Sequence, residues 1–348
     1  MSPKSATAAG ADPRPSPPHQ TFDGWSADRA RLPMHAPDRT ASFEPSAVAS
    51  TVDPRTHRET FVVLNDFFDP TQYHFELDAK DQLVATERVA RATMTLEGHP
   101  GVFAPKFEAV SALPDGRFLA TTPFNRPEVE THRIFTFGYA EGRHAVAREV
   151  AFDRPAFEGF IRARSGQPWF QVEGLAVDAA ARHAFFGVRF TGESREGAKQ
   201  PTVTLVRCPF DGAALGTPTS AVTLSTVKAL GRQEGLADLQ RDPRDGSYLL
   251  LTSFEGADVT ALGNNQGHLF RLPAELVEHA TSDTPLELPA PLASFEGKPE
   301  GVTALKDGRL LVIFDDDREW KDNFKGYARR QAMFAVLDAQ GQPVPPRP

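Results

Sequence analysis

A single cysteine, Cys208, stands in a chain of 348 residues. That excludes an internal disulfide framework and a thiolate zinc cluster. Its neighbours Val206, Arg207, Pro209 and Phe210 mark it as a small strand residue. No run approaches about 18 apolar residues, so the sequence offers no membrane-spanning helix. Basic residues are in deficit, 38 against 46 acidic ones, for a net charge of −8. A chain this acidic is poorly suited to nucleic acid or to an anionic membrane surface, and neither is expected as a partner. Amphipathic helical patterns are scarce. A phosphate loop and a nucleophile elbow are absent, and Gly263–Gly267 lacks the strand–helix setting of a phosphate cradle.

The ends are poor in large apolar side chains. Five prolines fall within the first 20 residues, too little to bury for an ordered segment. Residues 1–20 are expected to be a disordered tail, 21–32 a linker and 341–348 a loose end. The tail has no apolar core of a secretory signal, which favours a cytoplasmic location.

What remains reads as strand. Short runs of Val, Leu, Phe and Thr alternate with turns such as Pro114–Arg117, Arg244–Ser247 and Lys306–Arg309, and Asp-Gly between apolar runs is a hairpin signal. A repeat decides the architecture. Lys106–Val110, Gln171–Leu175, Arg232–Leu236 and Lys298–Val302 align, and Pro45–Val48 is a weaker fifth copy. Their key residues Ser46, Glu108, Glu173, Glu234 and Glu300 are 62, 65, 61 and 66 residues apart. Each copy is followed by a second and a third apolar run, and the first four by a fourth run, such as Leu83–Glu87 or Ala221–Leu224. Four strands per unit is a propeller blade. The fifth unit lacks its last strand, and residues 33–43 are expected to supply it and close the ring. The expectation is an all-β fold: a single five-bladed β-propeller over residues 33–340, with four-stranded blades. A closed ring leaves no free sheet edge, which favours a monomer.

The first strand of a blade lines the channel. One glutamate at the start of that strand in four blades, with Ser46 in the fifth, places five oxygen-bearing side chains around one axis. Carboxylates so close repel and either share protons or surround a cation. A flexible ring of hard oxygens suits Ca²⁺, with Mg²⁺ second because of its stricter geometry. No histidine recurs in the repeat, which argues against zinc. The alternative is that each glutamate pairs with a backbone N–H or a basic residue. The glycine or alanine after it then answers only to packing near the axis. Two positions before the key residue stand Lys106, Gln171, Arg232 and Lys298, on the same side of the strand. The basic ones either neutralise the glutamates or form a collar for an anionic substrate.

The loops on the glutamate face are expected at 122–132, 190–202, 254–266 and 315–331. They carry Asn125, Arg126, Arg195, Lys199, Glu255 and the run Asp315–Lys321, with Arg189 at the end of a second strand. Loops on a rigid scaffold are a usual seat of function. Asp315 and Asp316 are candidate proton acceptors or ligands of a bound cation, and Arg189 a candidate catalytic cation. Lys106, Arg232 and Lys298 are candidate substrate-binding residues.

The Glu-Gly-Leu and Glu-Gly-Val strand starts, with Lys298–Val302 running on to Asp315–Asp317, resemble uncharacterised bacterial β-propeller families. These are domains of unknown function and phytase-like esterases. The resemblance covers most of residues 40–340. The ring is also similar to that of the calcium-activated nucleotidases (apyrases), in which glutamates and serines of five blades surround a central calcium. That resemblance implies Ser46, Glu108, Glu173, Glu234 and Glu300 as calcium ligands, although the apyrase loop motifs are missing. The function expected is a calcium-dependent hydrolase acting on a small anionic phosphoester, phosphoanhydride or ester at the channel mouth. The alternative is a non-catalytic binding propeller tied together by a structural cation.

Overall fold

The computed structural model describes residues 32–35, 44–53, 55–65, 71–98, 106–128, 131–140, 142–255, 265–282, 284–315 and 331–345. The tail at 1–20, most of the linker, Asp316–Lys321 and the last three residues lie outside them.

The chain is nearly all β. After β1 (Leu32–His35) come β2 (Pro45–Val52), β3 (Glu59–Asn65), β4 (Thr71–Leu77), β5 (Leu83–Ala85) and β6 (Arg91–Leu96). Next are β7 (Ala109–Ala112), β8 (Phe118–Thr121), β9 (Ile134–Phe137), β10 (His144–Glu149) and β11 (Ala151–Phe152), then helix α1 (Arg154–Ser165). A third stretch holds β12 (Trp169–Val177), β13 (His183–Gly192), β14 (Lys199–Pro209), β15 (Ala214–Leu215), β16 (Ser220–Ser225) and α2 (Val227–Leu230). A fourth holds β17 (Gly235–Arg241), β18 (Tyr248–Glu255), β19 (Asn265–Leu272), α3 (Ala274–Glu278), β20 (Leu286–Glu287) and β21 (Ala293–Glu296). The last strands are β22 (Lys298–Ala304), β23 (Leu310–Asp315) and β24 (Gln331–Leu337).

Antiparallel meanders run β2-β3-β4-β6, β7-β8-β9-β10, β12-β13-β14-β16, β17-β18-β19-β21 and β22-β23-β24. The last gains its outer strand from the other end of the chain: β1 pairs antiparallel with β24, Leu32 opposite Phe334 and His35 opposite Gln331. The first two meanders are also joined at their outer edges by a parallel β6–β10 ladder. The first strands of the meanders pack in a closed series, β2 on β7, β7 on β12, β12 on β17, β17 on β22 and β22 on β2.

Strands near the axis are covered on both faces, so they read as continuous apolar runs. From Phe170 onward, every residue of β12 is buried. The apolar cores lie between consecutive meanders. Val62 and Leu64 of β3 meet Phe118 and Phe135, and Leu119 meets Val172 and Phe186. Phe185 meets Leu239 and Tyr248. Leu249 and Leu251 meet Val302 and Val312, and Ile313 and Phe334 meet Val48 and Phe61. Glycine after the key glutamate lets neighbouring inner strands approach. A Cβ at Gly301 would stand 3.0 Å from the backbone N of Val48.

Three sequence expectations change. The run Leu83–Glu87 is not the whole fourth strand. Only Leu83–Ala85 pairs with β4, over Phe75–Leu77, and β6 takes over along Thr71–Tyr73. The break is a turn in which Val89 N–H donates to the Thr86 hydroxyl at 3.1 Å. The stretch 190–202 is not an open loop, because β13 and β14 extend through it and pair as far as Gly192 with Lys199. Helix α1 was not foreseen. Asp153 caps it by accepting from Ala156 N–H at 3.0 Å, and Gly166 ends it at φ 69°, a left-handed position suited to glycine. No helix among the described residues is long and apolar enough to cross a membrane.

Candidate functional site

Three of the key positions acquire their direction from β-bulges. Where β2 pairs with β3, Ser46 is the extra residue between Pro45 and Ala47. Glu300 is the extra residue between Pro299 and Gly301 against β23. Between β12 and β13 both strands carry one, Glu173 on one side and Arg189 on the other. A bulged residue leaves the ladder and its side chain is re-aimed. Here the direction is the channel mouth, where Ser46, Glu108, Glu173 and Glu300 line one cavity of about 120 Å³ together with Glu44, Gln171 and Asp315. Lys106, Arg189, Lys199 and Lys298 line it too. Three of the proposed ligands besides Ser46 therefore share a site, and so do two of the three proposed substrate-binding cations.

Glu234 and Arg232 do not line it. In the fourth meander the extra residue is Ala237, between Leu236 and Asp238, and Glu234 precedes the strand. Its carboxylate, 0% exposed, is spent on its own sheet. Arg232 donates to Oε1 from Nε at 3.0 Å and Nη2 at 2.6 Å. Thr252 Oγ1 donates to Oε2 at 2.7 Å, and His268 Nδ1 lies 2.9 Å from it. Burial pushes this carboxyl up, but the hydrogen bonds from His268, Thr252 and Arg232 outweigh it and hold it below its ordinary value. Arg232 is held by Gln266 Oε1 at 2.7 Å and lies over the Phe254 ring at 4.1 Å.

Glu108, Glu173, Glu300 and Asp315 each have a cation beside them in the cavity. Lys106 Nζ stands 2.7 Å from Glu108 and Lys298 Nζ 2.6 Å from Glu300. Glu173 accepts from Gln171 Nε2 and from Arg189 Nη1. The second amino group of Arg189 donates to Ser253 Oγ at 2.8 Å. Lys298 is 3.9 Å from Asp315. Lys106, Arg232 and Lys298 each stand beside the glutamate two residues on, an arrangement that both readings of the basic positions allow. Ser46 Oγ is turned to the Leu64 carbonyl at 3.4 Å. As placed, this donor set does not fit a calcium ion, because ammonium and guanidinium groups occupy the carboxylate faces a cation would need. Among the described residues no group of three or more His, Cys, Asp or Glu stands ready to hold a metal. Asp316 lies outside the described residues.

Glu300 is a strongly perturbed carboxyl of the cavity. Burial raises it to about 7, with Lys298 and Arg189 pulling it down and Glu173 adding to the rise. Such a group exchanges protons near neutral pH. Asp238 lies deeper and is pushed up to about 8, again by burial. Its Oδ2 accepts from Val302 N–H at 2.9 Å. Gln240, two residues on, donates to the Val110 carbonyl at 2.6 Å. These two tie β17 to β22 and β7, and close the channel beneath the cavity. Sequence reasoning passed over Asp238, Gln240 and His268. An Asp inside the otherwise apolar Leu236–Leu239 stretch and the Gln after it were the available signal.

No family model matches the chain, and no curated protein matches it, so the likenesses to apyrases and phytase-like esterases stay resemblances. Solved structures do align with it. A β-fructofuranosidase from Schwanniomyces occidentalis, complexed with fructosyl-erythritol, has a TM-score of 0.48 at 10% identity, over 90% of this chain and 59% of that one. A luciferin-regenerating enzyme has a TM-score of 0.42 at 8% identity, over 91% of this chain and 98% of that one. The Cps50 (Swd1) β-propeller domain from Myceliophteria thermophila gives 0.33 at 9% identity, over 83% of this chain and 82% of that one.

Proposed function

We propose that the chain is a single five-bladed propeller and a hydrolase of a small anionic ester or phosphoester, with its reaction centre in the ring cavity. The blade count is supported by the closed series of five inner strands and by five cores between consecutive meanders. The function rests on one observation: Glu300, buried in the wall of a cation-lined cavity, titrates at about 7. Lys106, Arg189 and Lys298 hold the anionic group. Glu300 takes a proton from the attacking water as its oxygen bonds the acyl carbon or phosphorus, and gives that proton to the alcohol oxygen as the ester bond breaks. The calcium reading requires Lys106 and Lys298 to leave their carboxylates first.

Turnover of a panel of phosphate and carboxylate esters, with and without calcium and with chelator, tests this. The expected result is activity that survives chelator and falls at least about a hundredfold in Glu300→Gln. Activity only with calcium would restore the metal-dependent reading. A second reading, a non-catalytic binding propeller, is favoured by the closure of the channel at Asp238 and Gln240. Saturable phosphate binding without turnover of any ester would decide for it.

A further inference from the structure

The cavity has room for several waters but lies well below the roughly 300–1,000 Å³ of a site that encloses a whole small molecule. It can take a head group, and the rest of the ligand must lie outside. Strand β12 indicates where. Trp169 and Gln171 lie on the same side of the strand, and Gln171 donates to Glu173 in the cavity wall. Phe190 is opposite Gln171, and Trp169 opposite Gly192. A column thus runs outward from Glu173 past Gln171 and Phe190 to Trp169.

The two rings at its outer end are half-buried. The indole N–H of Trp169 is committed to the Asn125 carbonyl at 2.9 Å, which fixes the ring and leaves its face as the surface on offer. Lys199, exposed at the start of β14, holds its ammonium 5.6 Å from the Trp169 ring and 5.7 Å from the Phe190 ring. A lysine on a ring face at an exposed site is held weakly enough for an arriving anion to draw it away. The Phe190 ring also has the held Arg189 guanidinium 4.9 Å from its centroid, so a ring arriving there takes the place of Lys199 and not of Arg189.

We infer that the ligand is a ring-bearing organic anion. Its anionic head enters the ring cavity, its ring lies on Trp169 and Phe190, and Lys199 moves from the ring faces onto the anion. This rests on the reading of the cavity as an anion site. The test is calorimetric titration with inorganic phosphate, phenyl phosphate and glucose 6-phosphate. At least one ring-bearing phosphate should bind about tenfold tighter than inorganic phosphate, or 1.4 kcal/mol, within what ring contacts supply. Preference for phenyl phosphate assigns an aryl ring, and for glucose 6-phosphate a sugar ring. The gain should vanish in Trp169→Leu and persist in Trp169→Phe, with inorganic phosphate bound equally by both. Should Trp169→Leu not fold, Trp169→Met carries the comparison. If all three compounds bind alike, the inference fails while the anion site stands. If none binds, both fail.

Discussion

Arg189→Met is the most informative single change, because Arg189 and Glu173 form a buried pair whose side chains are 3% and 5% exposed. Both are bulged residues of facing strands, so the pair sits where the β12–β13 ladder is already interrupted. Removing one partner leaves a buried charge without its counter-ion. That costs about 3–5 kcal/mol, whereas replacing both with neutral groups is often close to neutral. Gln171 still donates to Glu173, but as a neutral amide it does not replace a guanidinium. The Ser253 hydrogen bond is lost as well, worth about 1 kcal/mol. Arg189→Met should therefore lose roughly 4 kcal/mol, and Glu173→Gln with Arg189→Met much less. At a urea slope of about 3 kcal/mol/M, the single variant moves its midpoint down by more than about 1 M. The coupling energy from the double-mutant cycle should exceed about 2 kcal/mol. All midpoints should be the same in calcium and in chelator. A single-variant loss below about 1 kcal/mol, or losses that simply add in the double variant, would refute the reasoning.

Further expectations follow from the same contacts. The folded-state carboxyl of Glu300 is raised from 4.5 to about 7. Native protein therefore binds the extra proton, and stability falls as pH rises between those values, by roughly 3 kcal/mol through this group. Urea midpoints at pH 5 and pH 8 should differ less in Glu300→Gln than in wild type. His74 has the opposite sign. It is wholly buried, neither ring nitrogen has a hydrogen-bond partner among the described residues, and burial lowers it from 6.5 to about 4. The unfolded chain takes up a proton that the native imidazole refuses, so roughly 3 kcal/mol is lost as pH falls through that window. His74→Phe, which keeps the edge contact 4.7 Å from Tyr139, should shed that acid sensitivity in thermal melts at pH 4.5 and 7. Gly301→Ala places a Cβ 3.0 Å from Val48 backbone and from Ile313. Overpacking there should lower the urea midpoint at a cost of about 1–3 kcal/mol, and an unchanged midpoint would show that β2 and β22 can separate.

Much of the fold was legible in the sequence because period and turn chemistry are local. The recurring strand starts predicted the inner strands, and the unfinished last unit predicted an outer strand from the N-terminal side, which β1 supplies at Leu32–His35. Helix α1 was overlooked although Asp153, Pro155 and Gly166 are ordinary helix punctuation. One capped helix among repeated strands leaves little periodic trace.

The ring was legible only in part, and the reason is a question of register. Sequence spacing treats Glu234 as equivalent to Glu173 and Glu300, because Arg232–Leu236 matches the other copies. Where a ladder carries an extra residue the bulge re-aims its side chain, and a bulge is decided between two strands; Glu108 reaches the cavity from just before β7, whose ladder with β8 has none. In β12 and β22 the bulge falls on the glutamate. In β17 it falls three residues later, on Ala237. That shift lets the Glu234 carboxylate meet Thr252 of the second strand and His268 of the third. Neither residue belongs to the repeated motif, so the motif could not announce them. The same bulge precedes Asp238 and Gln240, which reach β22 and β7 from within the channel. The fourth unit thus closes the channel floor instead of adding a carboxylate to its mouth. An open mouth above a closed floor is the geometry of a pocket, and the fourth unit's part in it follows from register and not from spacing.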